Sequence, residues 1–198
     1  TMSNFCIVST STGRTWMLLS PRSRSIAVLL ALVILLAGTP ARAQAAMSTE
    51  DAEGTLTVHA VRLTAALRID GRLDEELYRT VTPLSRFIQT EPRAGDPATE
   101  KTEVWVAFDR GTMYVTFRVW ETQLERLVSN ELRRDNNLII TANDHVAFSF
   151  DTFHDRRNAL IFMAGPNGGR VDGQSTGERQ YNADWNPVWN MASGKFAR

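Results

Sequence analysis

The alternation of apolar and polar residues predicts two adjacent β-strands near the middle of the chain. Residues 103–108 and 113–120 alternate between the two classes, and Asp109-Arg110-Gly111 lies between them. A period of two is typical of strands, and a short loop containing glycine joins the strands of a hairpin. The pattern predicts two further strands at residues 146–151 and 158–164, the second of which ends at the glycine-rich segment 165–169.

These short strands, separated by loops rich in proline and glycine, predict an all-β fold, specifically an antiparallel β-sandwich. Residues 122–135 leave two alternatives open, because their leucines and valine lie near helical spacing although the segment can also be extended. The sandwich is expected to be truncated at its C-terminal end. Residues 181–198 run into Ser193-Gly194-Lys195-Phe196, which is typical of the turn before another strand, and a sandwich that stopped there would leave an edge unpaired.

The N-terminal region has the three parts of an export signal. Arg22 and Arg24 form a basic segment, residues 26–37 are a run of twelve apolar residues, and Ala41-Arg42-Ala43 is a small-x-small cleavage site. Twelve residues are too few for a membrane span, which needs about 20. We therefore interpret residues 1–43 as an upstream leader and signal peptide, 44–57 as a linker, and 58–198 as the domain, which is exported to the periplasm or the outer membrane.

Composition after the predicted cleavage site excludes several classes of protein. Residues 44–198 contain 18 basic and 22 acidic side chains, a balance of −4, and the single cysteine is Cys6. No basic stripe is present, which argues against nucleic acid or an anionic membrane surface as a partner. Without cysteine the predicted mature domain has no disulfide and no thiolate metal site, so packing alone must hold its core.

The segment 69–78, Ile-Asp-Gly-Arg-Leu-Asp-Glu-Glu-Leu-Tyr, predicts a turn at Asp70-Gly71 and a brief helix capped by Asp74. It resembles the opening of carbohydrate-binding module family 9-like domains, an Ile-Asp-Gly-x-Leu-Asp-Glu turn followed by an aromatic residue. Further matching landmarks follow in the family's order: Pro92, Gly95, 97–100, 102–109, 114–117, Arg134-Asp135, 144–157, Asp172, Asp184-Trp185 and Trp189.

This resemblance implies a sugar-binding β-sandwich with a saccharide as ligand. The landmarks look most like those of a bacterial subgroup in which such a module precedes a region resembling an outer-membrane β-barrel, so the resemblance implies a C-terminal barrel-like region of the full-length protein as a partner. The sequence departs from the sugar-binding members at two places. Residues 140–143, directly before Asp144, include no aromatic residue, and Met163 stands where those members have an arginine. The resemblance therefore supports the fold more strongly than the binding site.

Five residues are candidates for carbohydrate binding. Trp185 and Trp189 can stack on the apolar face of a pyranose ring, and the alternative is that both fill the end of the sandwich. Arg134, Asp135 and Asp144 can converge to bind hydroxyl groups, because an arginine–carboxylate pair has fixed geometry. The alternative for this polar group is a salt bridge that holds a loop in place.

Two other patterns leave alternatives open. Trp105 and Trp120 lie on the opposite face of the hairpin from its valines, where they form either an exposed aromatic strip or a contact with another domain. Aspartates are frequent in the second half of the chain and offer oxygen ligands for calcium, but they lack a calcium-loop motif. The aspartates in question are Asp144, Asp151, Asp155, Asp172 and Asp184.

The leading hypothesis is an exported, non-catalytic carbohydrate-binding module that needs no cofactor. The alternative is a structural or docking sandwich of an outer-membrane barrel protein, without a sugar site. A more distant alternative is part of a glycoside hydrolase, although no pair of acidic residues stands out as catalytic. The three histidines, His59, His145 and His154, show no spacing typical of metal ligands.

Overall fold

The computed structural model describes residues 2–10, 45–50, 52, 56–177 and 180–196, with the backbone alone for residues 2–10 and 45–46. The basic, apolar and cleavage segments of the predicted signal lie outside these residues. Among the residues that the structure describes, strands account for 40% and helices for 8%. The prediction of an all-β fold is confirmed.

Thirteen strands are described, and most of them are short. The strands are β1 (Met2–Thr10), β2 (Ala45–Ala46), β3 (Ser48–Glu50), β4 (Leu56–Val58), β5 (Val61–Arg62), β6 (Val81–Thr82), β7 (Thr102–Phe108), β8 (Thr112–Trp120), β9 (Val146–Phe150), β10 (Ala159–Ala164), β11 (Arg170–Thr176), β12 (Gln180–Asn182) and β13 (Trp189–Phe196). The helical segments are α1 (Leu77–Thr80), α2 (Leu138–Ala142) and a 3₁₀ turn (Leu124–Arg126).

The strands form two larger sheets and two small ones. The first sheet has the order β13-β1-β8-β7-β5, and the second has the order β12-β11-β10-β9. Pairing in the second sheet is antiparallel throughout, whereas β5 joins β7 in parallel in the first. The small sheets pair β2 with β6 and β3 with β4. The segment interpreted as a linker thus contributes three short strands.

The predicted hairpin is confirmed as β7 and β8, which pair from Thr102 opposite Val119 to Phe108 opposite Met113. Its turn is stabilised by Asp109, whose Oδ1 accepts hydrogen bonds from the backbone N–H groups of Gly111 at 2.8 Å and Thr112 at 2.9 Å. This is the local side-chain bonding that makes aspartate a favoured turn residue.

Strand β1 lies between β8 and β13 and pairs antiparallel with both of them. These residues belong to the predicted leader, ahead of the predicted signal, and no strand is predicted for them. Their pairing partners lie more than 100 residues away along the chain, so no local pattern indicates the pairing.

One apolar core lies between the two larger sheets. The first sheet contributes Val104, Val115 and Phe117, and the second contributes Phe162 and Ala164. The Phe117 and Phe148 ring centroids are 6.1 Å apart, which brings the two inner faces into direct contact. The arrangement is therefore two-layered and sandwich-like, as residues that alternate along strands require.

A second core lies on the other face of the first sheet and includes Trp105, which is 1% exposed. Met47, Tyr78 and Val81 cover it, and the Trp105 Nε1 donates a hydrogen bond to the Val81 carbonyl at 3.0 Å. The expectation of an exposed strip, or of a contact with another domain, at Trp105 was wrong. The domain's own N-terminal segment buries this face of the sheet.

Residues 122–135 contain a single 3₁₀ turn and are otherwise without regular structure, which agrees with the extended alternative. The brief helix predicted after the Asp70-Gly71 turn is confirmed as α1. Its N-cap residue is Glu76 rather than Asp74, and it has no side-chain capping bond. None of the helices in the described part of the chain is long and apolar enough to span a membrane.

We expect Gly71→Ala to lower the free energy of unfolding by about 1–3 kcal/mol, the usual cost of overpacking. Gly71 has φ +78°, and a Cβ atom there would lie 2.7 Å from the Ser193 carbonyl carbon and 2.8 Å from the Gly194 nitrogen of β13. The turn of the family-like segment therefore needs glycine for contact with β13 as well as for its backbone conformation. Urea denaturation of the full chain measures the loss.

Gly95→Ala is the matched control for this substitution. Gly95 also has positive φ, +89°, but a Cβ atom there would have no neighbour within 4 Å. Its loss should be limited to the backbone term, about 1 kcal/mol. Equal losses for the two variants would contradict a close contact between Gly71 and β13.

Candidate functional site

A polar cluster centred on Asp172 lies at the edge of β11. The Asp172 side chain is 0% exposed, and its Oδ1 accepts hydrogen bonds from Arg134 Nη2 and Trp189 Nε1, each at 2.7 Å. A buried carboxylate is stable only when it is paired and hydrogen-bonded in this way. Asp172 therefore joins the loop that carries Arg134 to the first residue of β13.

Asp135 forms hydrogen bonds with the backbone of β11 at residues that β12 does not pair with. Its backbone N–H donates to the Arg170 carbonyl at 3.0 Å, and its Oδ1 accepts from the Asp172 backbone N–H at 3.3 Å. Asp135 has φ +58°, a conformation that aspartate tolerates better than most residues. Its Oδ2 lies 3.2 Å from Arg134 Nε, so the predicted arginine–carboxylate pair is present.

The cluster consists of a buried carboxylate, Asp172, and a partly exposed ion pair, Arg134 and Asp135. The side chains of Arg134 and Asp135 are 31% and 32% exposed, whereas Asp172 has no access to solvent. Arg134 Nη2 also donates to the Pro187 carbonyl at 3.3 Å. The bonds to Asp172 and Pro187 thus hold the Arg134 guanidinium in place, while the Arg134–Asp135 pair is accessible to solvent.

Two atoms of the cluster are buried without a hydrogen-bond partner among the described residues. They are Asp172 Oδ2, an acceptor, and Arg134 Nε, a donor that contacts Asp135 only as an ion pair. A buried polar atom left unpaired costs about 1–3 kcal/mol. Such atoms are rare in folded proteins, and each requires an explanation, such as a functional role.

Tyr181 of β12 lies beside this cluster and was missed as a candidate by the sequence analysis. Its side chain packs against Gly173 of β11, where a Cβ atom would lie 2.3 Å from the Tyr181 hydroxyl oxygen. Tyr181 is 48% exposed. Burial of its hydroxyl, together with the negative charges of Asp135 and Asp172, raises the Tyr181 pKa. The available signal was Gly173, since glycine inside a strand often marks a close approach.

The two candidate tryptophans differ in their surroundings. Trp189 is 3% exposed and packs against Phe162 at 5.4 Å between ring centroids, with the Arg170 guanidinium carbon 5.5 Å from its ring. Its ring leaves no open face for a sugar, which fits the alternative that it fills the sandwich. Trp185 is partly exposed and contacts Phe162 with one edge, at 5.8 Å.

Asp144 does not join the cluster with which it was predicted to converge. Its Oδ2 accepts a hydrogen bond from the Val128 backbone N–H at 2.7 Å, and its own N–H donates to the Val128 carbonyl at 2.8 Å. These bonds hold the segment before β9 against residues 127–129. Asp172 occupies the position beside Arg134 and Asp135 that the sequence analysis gave to Asp144.

In the part of the chain that the structure describes, no group of three or more His, Cys, Asp or Glu side chains is arranged to hold a metal ion. Two aspartates of the calcium hypothesis bind backbone N–H groups of their own loop instead. Asp151 accepts from Asp155 and Arg156, and Asp155 accepts from Arg157 and Asn158.

The fold and the cluster together define an all-β domain with an accessible arginine–aspartate pair over a buried carboxylate. Comparison of the chain with protein-family models, with curated proteins and with solved structures found no match.

Proposed function

We propose that this domain binds a saccharide at the surface formed by Tyr181, Arg134 and Asp135. The observation that supports the proposal is the position of the half-exposed Tyr181 ring beside an arginine–carboxylate pair fixed by buried Asp172. An aromatic ring offers an apolar face for a pyranose, and the charged pair offers donors and acceptors for its hydroxyl groups.

The unpaired buried atoms add chemical support for a hydroxyl-bearing ligand. Asp172 Oδ2 is an acceptor and Arg134 Nε is a donor, and a hydroxyl group can satisfy one atom of each kind. In this proposal the domain acts as a binding module, not a catalyst, within a larger envelope protein.

Tyr181→Ala is expected to weaken saccharide binding at least about tenfold, which corresponds to 1.4 kcal/mol. The alanine removes the aromatic face but leaves Arg134 and Asp135 in place. A panel of monosaccharides and oligosaccharides is first screened by tryptophan fluorescence, because Trp189 donates a hydrogen bond to Asp172 beneath the site. Isothermal titration calorimetry on the full chain then gives the affinity of each variant.

Tyr181→Phe is the matched control, because it keeps the ring and removes only the hydroxyl group. Its affinity should stay within about threefold of the parent chain, less than 1 kcal/mol. A folded chain that binds no glycan of the panel would overturn the proposed function. Binding that is equally strong in Tyr181→Ala would place the saccharide elsewhere on the domain.

The second candidate function is a docking domain, and one surface favours it. A groove of about 850 Å³ lies between the β3–β4 hairpin and residues 85–102, and Leu56, Phe87 and Ile88 are exposed along it. Exposed apolar side chains grouped on one surface are typical of interaction sites. The absence of glycan binding, combined with a thermal transition raised by the barrel-like region of the full-length protein, would support this candidate.

A further inference from the structure

A second pocket lies at the end of the first sheet, away from the strands that carry the polar cluster. It encloses about 520 Å³ and is lined by Arg62 at the end of β5, by residues 63–66, and by Asp109 and Arg110 of the β7–β8 turn. Arg62 is opposite Phe108 in the register of β5 and β7, so the turn that follows Phe108 brings Arg110 to the same end of the sheet.

The two arginines of this pocket are free cations. Among the residues that the structure describes, neither the Arg62 nor the Arg110 guanidinium makes a hydrogen bond or an ion pair. Nearly all the other arginines of the domain have such partners. Two free guanidinium groups in one concave site produce an electrostatic potential that attracts anions.

Asp109 is the one acidic residue that lines the pocket, and its carboxylate is already occupied. Oδ1 accepts from the backbone N–H groups of Gly111 and Thr112, and Oδ2 accepts from the Tyr114 hydroxyl at 2.8 Å. The bonds from Gly111 and Tyr114 hold the Asp109 pKa below its usual value. The Asp109 carboxylate therefore stabilises the turn. With Arg62 and Arg110 against Asp109, the residues that line the pocket have a net charge of +1.

The walls of the pocket are held in place before any ligand arrives. Tyr114, which bonds Asp109, is buried in the second core with Trp105 and Ala107. The Leu63 backbone N–H donates to the Phe108 carbonyl at 2.8 Å, which anchors Leu63 at the end of β7. Binding therefore has to order the two guanidinium groups but not the backbone of the β7–β8 turn, which lowers its entropy cost.

We propose that this pocket binds a phosphate or sulfate group, held by Arg62 and Arg110. Each guanidinium presents parallel N–H donors that match two oxygens of an oxyanion. A tetrahedral group has enough oxygens to engage two such forks at once, whereas a carboxylate is used up by one. Thr64 also lines the pocket, and its side chain carries a hydroxyl group, which is a further donor.

The test is calorimetric titration of the full 198-residue chain with inorganic phosphate, with sulfate and with glucose 6-phosphate. Low ionic strength is used because salt screens exposed charges. We expect saturable binding at one site, weakened at least about tenfold by either Arg62→Gln or Arg110→Gln, in line with the loss of a charge-assisted hydrogen bond. Tighter binding of glucose 6-phosphate than of inorganic phosphate, with the difference unchanged in Tyr181→Ala, would identify a group carried by a sugar.

Arg72→Gln is the matched control, because Arg72 is an exposed arginine outside the pocket. Its affinity for the anion should equal that of the parent chain. A chain that is folded by circular dichroism but binds neither inorganic phosphate nor sulfate would overturn the proposal, and so would unchanged binding of these two anions in the Arg62→Gln/Arg110→Gln double variant. Neither outcome depends on saccharide binding at Tyr181, so the two proposals are tested separately.

Discussion

Replacing Trp105 with alanine is expected to lower the free energy of unfolding by about 3–5 kcal/mol, the usual range for a buried aromatic residue. The Trp105 ring is 1% exposed and meets Tyr78 edge to face at 5.3 Å. Alanine would leave a cavity between β7 and α1, and it would deprive the Val81 carbonyl of its donor. Urea denaturation of the full chain, followed by circular dichroism, measures the change.

Trp120→Ala is the control for this prediction, since Trp120 lies at the end of the neighbouring strand β8. Its ring is partly exposed, with Lys101 Nζ 4.4 Å from the ring centroid. A cation–π contact at such a site contributes about 0.5–1 kcal/mol, so the loss should stay below about 2 kcal/mol. Equal losses of unfolding free energy in the two variants would contradict the burial of Trp105. They would support the exposed face that the hairpin pattern predicts.

The sequence predicts the β7–β8 hairpin well because both signals for it are local. Residues that alternate with period two lie on either side of a three-residue turn, and Asp109 bonds its own turn. The burial of Trp105 depends instead on Met47 and Val81, which lie 58 and 24 residues earlier in the chain. Alternation shows that a strand has two faces, but it does not show that both are covered.

The site was predicted in part for the same reason. Arg134 and Asp135 adjoin in sequence and form the expected pair, whereas Asp172 was a landmark of the family resemblance and a candidate calcium ligand but not a candidate for carbohydrate binding. Tyr181 reaches the site because β12 pairs with β11 beside Gly173. The position of Asp144 depends on its bonds to Val128, which no spacing rule indicates.

Asp172→Ala is expected to lower the free energy of unfolding by about 3 kcal/mol. Removing one partner of a buried ion pair costs about 3–5 kcal/mol, and the lower end applies because Arg134 keeps some contact with solvent and with Asp135. The alanine leaves Arg134 Nη2 with the Pro187 carbonyl alone, and Trp189 Nε1 loses its acceptor inside the core. Chemical denaturation of the full chain measures the loss.

Asp172→Asn separates the charge of this carboxylate from its hydrogen bonds. Asparagine keeps one oxygen that can accept from Arg134 or Trp189, so we expect a smaller loss than for alanine. A double-mutant cycle of Asp172→Ala with Trp189→Phe should give an interaction energy of at least about 0.5 kcal/mol, because the two side chains share a buried hydrogen bond. Additive effects would show that Asp172 does not hold Trp189. Arg134 and Asp135 would then lack the rigid support from a buried carboxylate on which the proposed saccharide site depends.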